Sequence, residues 1–218
     1  MTHNITASIH QRLLNYAHAT GRPFHEVLQY YALNRFLYRL GQSDYKDRFI
    51  LKGALMLVAW DSPITRPTRD IDLLGHVRNL PETVAEIMCS ICALAVEGDG
   101  LCFDASSLSA ERIIEGASYV GVRVRFAGYL GNARIPMQID VGFGDALVPA
   151  PTEVQLPSIL DPPPTVLLGY TRESVIAEKL QIMIALGEIK SRLKDFYDLW
   201  LLATRYAFSG ALLMQAIH

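Results

Sequence analysis

Apolar positions change their period several times along the chain. Over 7–20 and 24–41 they recur at helical spacing: Leu13, Leu14 and Tyr16 in the first stretch, Val27, Leu28, Tyr31, Leu33, Phe36, Leu37 and Leu40 in the second. The pattern predicts two helices joined by a turn at "TGRPF". There Gly21 takes a positive φ and Pro23 suits the first helical position, while Gly41 stops the second helix. Phe49 to Leu51 is a short unbroken apolar run, as a buried strand would be, and Gly53 then permits a sharp turn into an apolar helix, Ala54 to Trp60. A loop with Pro and Thr covers 61–69. "DIDLLG" is the next strand, closed by Gly75, and Pro81 to Val96 is a helix ended by Gly98 and Gly100.

From Leu101 the period shortens to two. "LCFDASSL", "SYVGVRVRFAGYL" and "ARIPMQIDVGF" read as strands. Val122 to Phe126 alternates, so Arg123 and Arg125 share one face and the apolar residues the other. Residues 145–168 hold Pro149, Pro151, Pro157 and "DPPP" and read as an irregular, stiff connector. Thr171 then caps a helix over "RESVIAEKLQIMIALGE", and Ser191 starts a last one, "RLKDFYDLWLLATRY".

The 218 residues are half hydrophobic and 19% charged, which is enough for a real core. A net charge of −2 exerts no bulk pull on nucleic acid, and a local basic groove stays open. Cys89 and Cys92 form a C-x-x-C on a helix with no second pair, so they read as buried free thiols rather than a zinc or redox site. Three cysteines in all, no apolar leader and no bilayer-length apolar run predict a reduced, cytoplasmic setting without a membrane span. No internal repeat is present.

Three carboxylates stand out. Asp70 and Asp72 lie at i and i+2 on a strand, so both side chains emerge on the same face while Ile71 and Leu73 take the other. Like charges so placed repel unless a cation lies between them or one is protonated. Mg²⁺, held by one or two carboxylates and phosphate oxygens, is the usual solution. Such a spacing is common by chance. Glu97 and Asp99 share it around Gly98, and they read as solvated loop charges. Asp140, between Ile139 and Val141, is a third acid inside an apolar strand. Three such acids on neighbouring strands would make a two-metal site for phosphoryl or nucleotidyl transfer. Gly53 at a helix start would let backbone N–H groups approach phosphate. Lys52, Arg66 and Arg69 could hold the remaining phosphate charge, or form ordinary surface ion pairs.

A glycine and loop, D-x-D on a strand and a third acid on a later strand resemble the DNA polymerase β-like nucleotidyltransferases. "LQYYALNRFLYRLGQSDYKDRFILKGALML", "RPTRDIDLLG", "IDVGFGD" and "ESVIAEKLQIMIALGEIKSRLKDFYDL" together resemble the AbiEii/AbiGii toxins of type IV toxin–antitoxin and phage-defence (abortive infection) systems, over about residues 8–202. The resemblance implies an α+β fold. A helical segment (1–45) precedes a nucleotidyltransferase core (46–160), and a C-terminal helical segment (161–218) completes the nucleotide site. It implies transfer of NMP from an NTP to an acceptor, with Mg²⁺ or Mn²⁺, and relatives point to the tRNA 3′ end. Asp70, Asp72 and Asp140 would hold the metals. Lys52, Gly53, Ala54, Arg66 and Arg69 would face the nucleotide, joined by Lys179 in "AEKL" and Asp195 or Asp198 in "RLKDFYDL". Lys179 would neutralise phosphate; the bland alternative for Asp195 and Asp198 is a helix–helix ion-pair set. A cognate antitoxin from a neighbouring gene is expected, without a required stable complex. Two departures mark the chain. Ala54 stands where many such enzymes have Ser, which leaves only backbone for phosphate, and less helical sequence follows the last motif than in larger members. A nucleotide-binding module with little turnover, and transfer to a protein or small-molecule hydroxyl, remain the alternative readings.

Overall fold

Glycines and prolines punctuate the chain as the sequence predicts, but not always for the expected reason. The computed structural model describes residues 2–60, 68–96, 98–115, 119–161, 163–186 and 193–217. Two helices open it, α1 (Thr2–Thr20) and α2 (Phe24–Gly41). Gly21 between them has φ +66°. Pro23 stands at the N-cap with extended geometry, one place earlier than predicted. Gly41 does not stop α2; it lies inside the last turn, and Gln42 closes the helix in a right-handed conformation. The glycine answers a different need, since a Cβ there would stand 2.8 Å from the Val166 carbonyl oxygen. It lets the sheet approach the helix backbone.

The seven strands are β1 (Phe49–Lys52), β2 (Asp70–Gly75), β3 (Leu101–Glu115), β4 (Tyr119–Leu130), β5 (Ala133–Gly142), β6 (Thr152–Leu156) and β7 (Thr165–Gly169). They form one sheet in the order β3-β4-β5-β2-β1-β7-β6. β2 runs parallel to β5 and β1 parallel to β7; the other neighbours are antiparallel. β6 and β7 correct the reading of 145–168 as irregular. Val154 and Leu156, and Leu167 and Gly169, alternate inward, a period the neighbouring prolines obscure. Helices α3 (Ala54–Ala59) and α4 (Pro81–Cys92) join the strands; α4 ends four residues before Val96. α5 (Arg172–Leu186), α6 (Leu193–Arg205) and an unforeseen α7 (Gly210–Ile217) close the chain. Thr171 caps α5 as expected, its Oγ1 accepting the Ser174 N–H at 3.2 Å. Residues 61–67 of the loop predicted over 61–69, and the helix start at Ser191, lie outside the described residues.

The sheet separates two cores. Ile71, Leu73, Val122, Val124, Ile139 and Val141 are fully buried in the larger one, with α2 and α4. Ile50 and Leu74, on the opposite face, pack with Val175, Ile176 and Leu202 of α5 and α6. Asp70, Asp72 and Leu74 alternate on one strand, so α5 and α6 cover the same face that bears the acids. Cys89 and Cys92 are free thiols, Cys92 buried and Cys89 half-buried. Burial pushes the Cys92 thiol up to about 12, which leaves it inert.

Asp99 overturns its reading as a solvated loop charge. It is 1% exposed, and its carboxylate accepts two hydrogen bonds from Arg39 (2.6 and 3.3 Å) and one from the Leu101 N–H at 3.1 Å. Arg35 Nε lies 3.5 Å away. The turn at Gly98 and Gly100, both at positive φ, delivers Asp99 to two buried arginines of α2. Glu97 lies outside the described residues.

Candidate active site

The register of five strands aligns five charged side chains in one row. Asp72 on β2 faces Asp140 on β5 and Lys52 on β1; Asp140 faces Arg123 on β4, and Arg123 faces Glu111 on β3. Partners in register point to the same side of a sheet, so this is a charge ladder. The next row places Asp70 opposite Gln138, which is opposite Arg125. The three predicted acids therefore share one face at the junction of β2 and β5.

Their surroundings differ. Asp140 is gripped by Arg123, whose Nε and Nη2 each donate to one carboxylate oxygen at 2.7 Å. Gln138 Nε2 adds a third bond at 3.3 Å. Among the described residues Asp70 and Asp72 have no such clamp. Burial and the nearby Asp140 carboxylate raise the pKa of Asp70. Burial pushes Asp72 up to about 7, helped by Asp140, Glu178 and Asp70 and opposed by Lys52. Two acids held above their ordinary range by desolvation and repulsion are what a hard cation would relieve. Among the described residues no three His, Cys, Asp or Glu side chains converge as a metal cage. The donors thus fit a divalent ion held by Asp70 and Asp72, with its other ligands coming from substrate oxygens and water.

Gly53 is built into this arrangement. It has φ +70° and ψ −153°, a conformation open in practice to glycine alone. A Cβ there would stand 2.0 Å from Asp72 Oδ2. The turn therefore lays bare backbone against the carboxylate at the start of α3, beside Ala54.

Two predicted cations are already partnered. Lys52 Nζ donates to Glu178 at 2.5 Å and Asp145 at 3.2 Å, and Asp145 also accepts from the Tyr170 hydroxyl at 2.7 Å. Lys179 Nζ lies 2.8 Å from Asp195 and 2.9 Å from Asp198, which is fully buried. Burial pulls Lys179 down, but Asp198 and Asp195 outweigh it and raise its pKa. Both α6 aspartates thus hold the lysine, and the ion-pair reading of that trio is correct as geometry. Arg69 is exposed at the head of β2, and Arg66 lies outside the described residues.

Arg123, Asp145, Glu178 and Tyr170 are the residues the sequence did not single out. The alternation of Arg123 and Arg125 gave the face but not the partner. Glu178 adjoins Lys179 in "AEKL", and Asp145 ends "IDVGFGD".

A mixed sheet bearing acids on β2 and β5, with a glycine turn against them, is the nucleotidyltransferase fold. JHP933 from Helicobacter pylori shares it, with a TM-score of 0.51 and 16% identity over 80% of this chain and 65% of that one. A second H. pylori structure, assigned as a nucleotidyltransferase, gives 0.50 and 17% over 80% and 67%. The chain thus spans about two thirds of the length of these structures. No curated protein matches. The family described as nucleotidyl transferase AbiEii toxin, type IV TA system, matches residues 35–218. The chain belongs to that family. Among the described residues, no helix is long and apolar enough to cross a membrane.

Proposed function

We propose that the chain is a toxin that transfers NMP from an NTP to an acceptor hydroxyl, that of a tRNA 3′ end. The single observation that carries this is the register of Asp72 with Asp140, with Asp70 on the same face and Gly53 backbone against Asp72. Asp70 and Asp72 would hold Mg²⁺ or Mn²⁺ together with the triphosphate. Bound there, the ion would neutralise phosphate charge and lower the pKa of the attacking hydroxyl. The hydroxyl gives up its proton to water, its oxygen bonds to the α-phosphorus, the bond from that phosphorus to the α–β bridging oxygen breaks, and pyrophosphate leaves with the electron pair. Asp140, held in place by Arg123, lies beside Asp72 and completes the acid set at the attacking hydroxyl. The bare N–H groups at Gly53 and Ala54 approach phosphate without a side chain in the way. Lys179 adds positive charge from α5, and an antitoxin restrains the activity without needing a stable complex.

A second reading, a nucleotide-binding module with little turnover, draws on one observation: Arg123 occupies both Asp140 oxygens. Total tRNA, Mg²⁺ and each α-³²P-NTP in turn, beside an Asp70→Ala/Asp72→Ala variant, separate the two. Label on tRNA that the variant abolishes supports transfer. NTP binding without label on RNA or protein supports the module, and label on protein moves the acceptor.

A further inference from the structure

Beyond Asp70 the outer face of β5 continues away from the acids. Asp140, Gln138, Pro136 and Arg134 alternate along it, so Arg134 lies about 13 Å from Gln138 at 3.3 Å per residue. A cavity of about 460 Å³ occupies this stretch, and its lining includes Asp70, Arg69, Arg125, Arg134, Gln138 and Ser109. Among the described residues Asp70 is the one acid of this lining, beside three arginines. A second hollow of about 260 Å³ shares Arg69, Arg134 and Gln29 and extends the groove to His25 and Glu26 at the start of α2. Glu26 is paired with Arg22. In a chain of net charge −2 this groove is a local reversal of sign.

The wall is fixed. Gln29 Nε2 donates to the Pro136 carbonyl at 2.9 Å and the Arg69 carbonyl at 3.4 Å, tying α2, the head of β2 and β5 together. The cations are available. Among the described residues Arg125 pairs with the exposed Glu111 and the half-buried Gln138, at the surface of the groove. Among the described residues no hydrogen bond or ion pair engages the Arg69 or Arg134 side chain, and both are exposed. A row of arginines matches a row of phosphates, whereas a peptide or a small hydroxyl compound would leave most of that charge unmatched.

We propose that this groove binds the phosphodiester backbone of a single-stranded acceptor, with Arg125 and Arg134 on separate phosphates of the strand and the terminal hydroxyl at Asp70. The assignment rests on the transferase reading and adds a division of labour. The triphosphate takes the Gly53 side of the acids, and the acceptor strand takes the β4–β5 side.

The test is fluorescence anisotropy with a 5′-fluorescein, mixed-sequence RNA dodecamer and its DNA counterpart, in EDTA without NTP, over a potassium chloride series. Wild type, Arg125→Ala/Arg134→Ala and Asp70→Asn/Asp72→Asn proteins are compared. The double arginine variant should weaken binding about tenfold or more and flatten the slope of log Kd against log salt by about 1.4, two contacts' worth on a single strand. The double aspartate variant should still bind. Calorimetric affinity for MgATP should not change in the arginine variant, and its melting temperature should stay near that of wild type. Equal RNA and DNA binding assigns the contacts to phosphate, and RNA-only binding adds the sugar hydroxyl; both support the groove. Unchanged Kd and slope in the arginine variant overturn it, as does failure of wild type to bind either strand. Equal loss of MgATP affinity gives the arginines to the nucleotide and also overturns it. Strand binding that depends on the arginines, without any label transfer, keeps the groove and removes the transferase reading. Label transfer with an unchanged KM for RNA in the arginine variant does the reverse.

Discussion

Gly53 and Asp72 approach so closely that a Cβ on the glycine would sit 2.0 Å from the carboxylate oxygen Oδ2. The contact packs the turn between β1 and α3 against Asp72 of the acid pair on β2, so a side chain added at the turn displaces the carboxylate. Gly53→Ala has two costs, displacement of Asp72 and a φ of +70° with ψ −153°, worth about 1–3 kcal/mol of backbone strain. The expected outcome is a folded protein with a lower urea midpoint and NMP transfer reduced at least 10²-fold, because a shift of about 1 Å near reacting atoms has that effect. A Gly53→Ala protein with wild-type turnover would separate the turn from the chemistry.

Asp72 should make the metal-free protein sensitive to pH in an unusual direction. Its folded pKa of about 7 lies above the ordinary 3.8, so the folded state holds the proton more tightly. Its contribution to stability is complete below about pH 3.8 and is lost as pH rises through about 7. In EDTA the melting temperature should therefore fall from pH 5 to pH 8. Asp70, also raised, works in the same direction. Asp72→Asn should flatten most of this slope. Mg²⁺ should raise the melting temperature more at pH 8 than at pH 5.5, since it competes with the proton for the same oxygens. A scan showing equal Mg²⁺ effects at both pH values would place the ion elsewhere.

Asp99 is a stability residue remote from the acids. Removing its carboxylate leaves Arg35 and Arg39, 1% and 3% exposed, without their counter-charge. Breaking a buried pair in this way costs about 3–5 kcal/mol. Asp99→Ala should lower the melting temperature by about 10 °C, while transfer per folded molecule stays at the wild-type level. Equilibrium urea denaturation alongside an assay corrected for folded fraction checks both halves.

Legibility in the sequence followed the range of the interactions. Helices α1 to α6, the β1–turn–α3 unit and the shared face of Asp70 and Asp72 are local, and periodicity revealed them. The pairing of Asp140 with Arg123 depends on the register of β4 against β5, which no single strand encodes. Asp99 was misread because flanking glycines look like a solvated turn. The missed signal lay in α2, where Arg35 and Arg39 stand at i and i+4 within a nearly continuous apolar helix and require a buried counter-charge. β6 and β7 were hidden by prolines that sit beside the strands rather than in them. Lys52 looked free as a phosphate ligand because Asp145 and Glu178 are 93 and 126 residues away.

Lys179 carries two possible duties that one pair of variants separates. Its ammonium holds Asp195 and the fully buried Asp198 across the α5–α6 junction. Lys179→Ala would strand the Asp198 carboxylate in the core, so a loss of activity in that variant alone would say little beyond destabilisation of about 3–5 kcal/mol. Lys179→Met/Asp198→Asn removes the charges of the lysine and of the fully buried acid and keeps the volumes, leaving charged only the half-buried Asp195, and a buried pair replaced in this way is often neutral for stability. The double variant should melt near the wild-type temperature. If Lys179 also neutralises the triphosphate, the double variant should bind MgNTP at least tenfold more weakly and transfer proportionally less, despite its recovered fold. Recovery of both stability and nucleotide affinity would confine Lys179 to holding the helices together, and leave the backbone at Gly53 and the bound cation as the supports of the triphosphate.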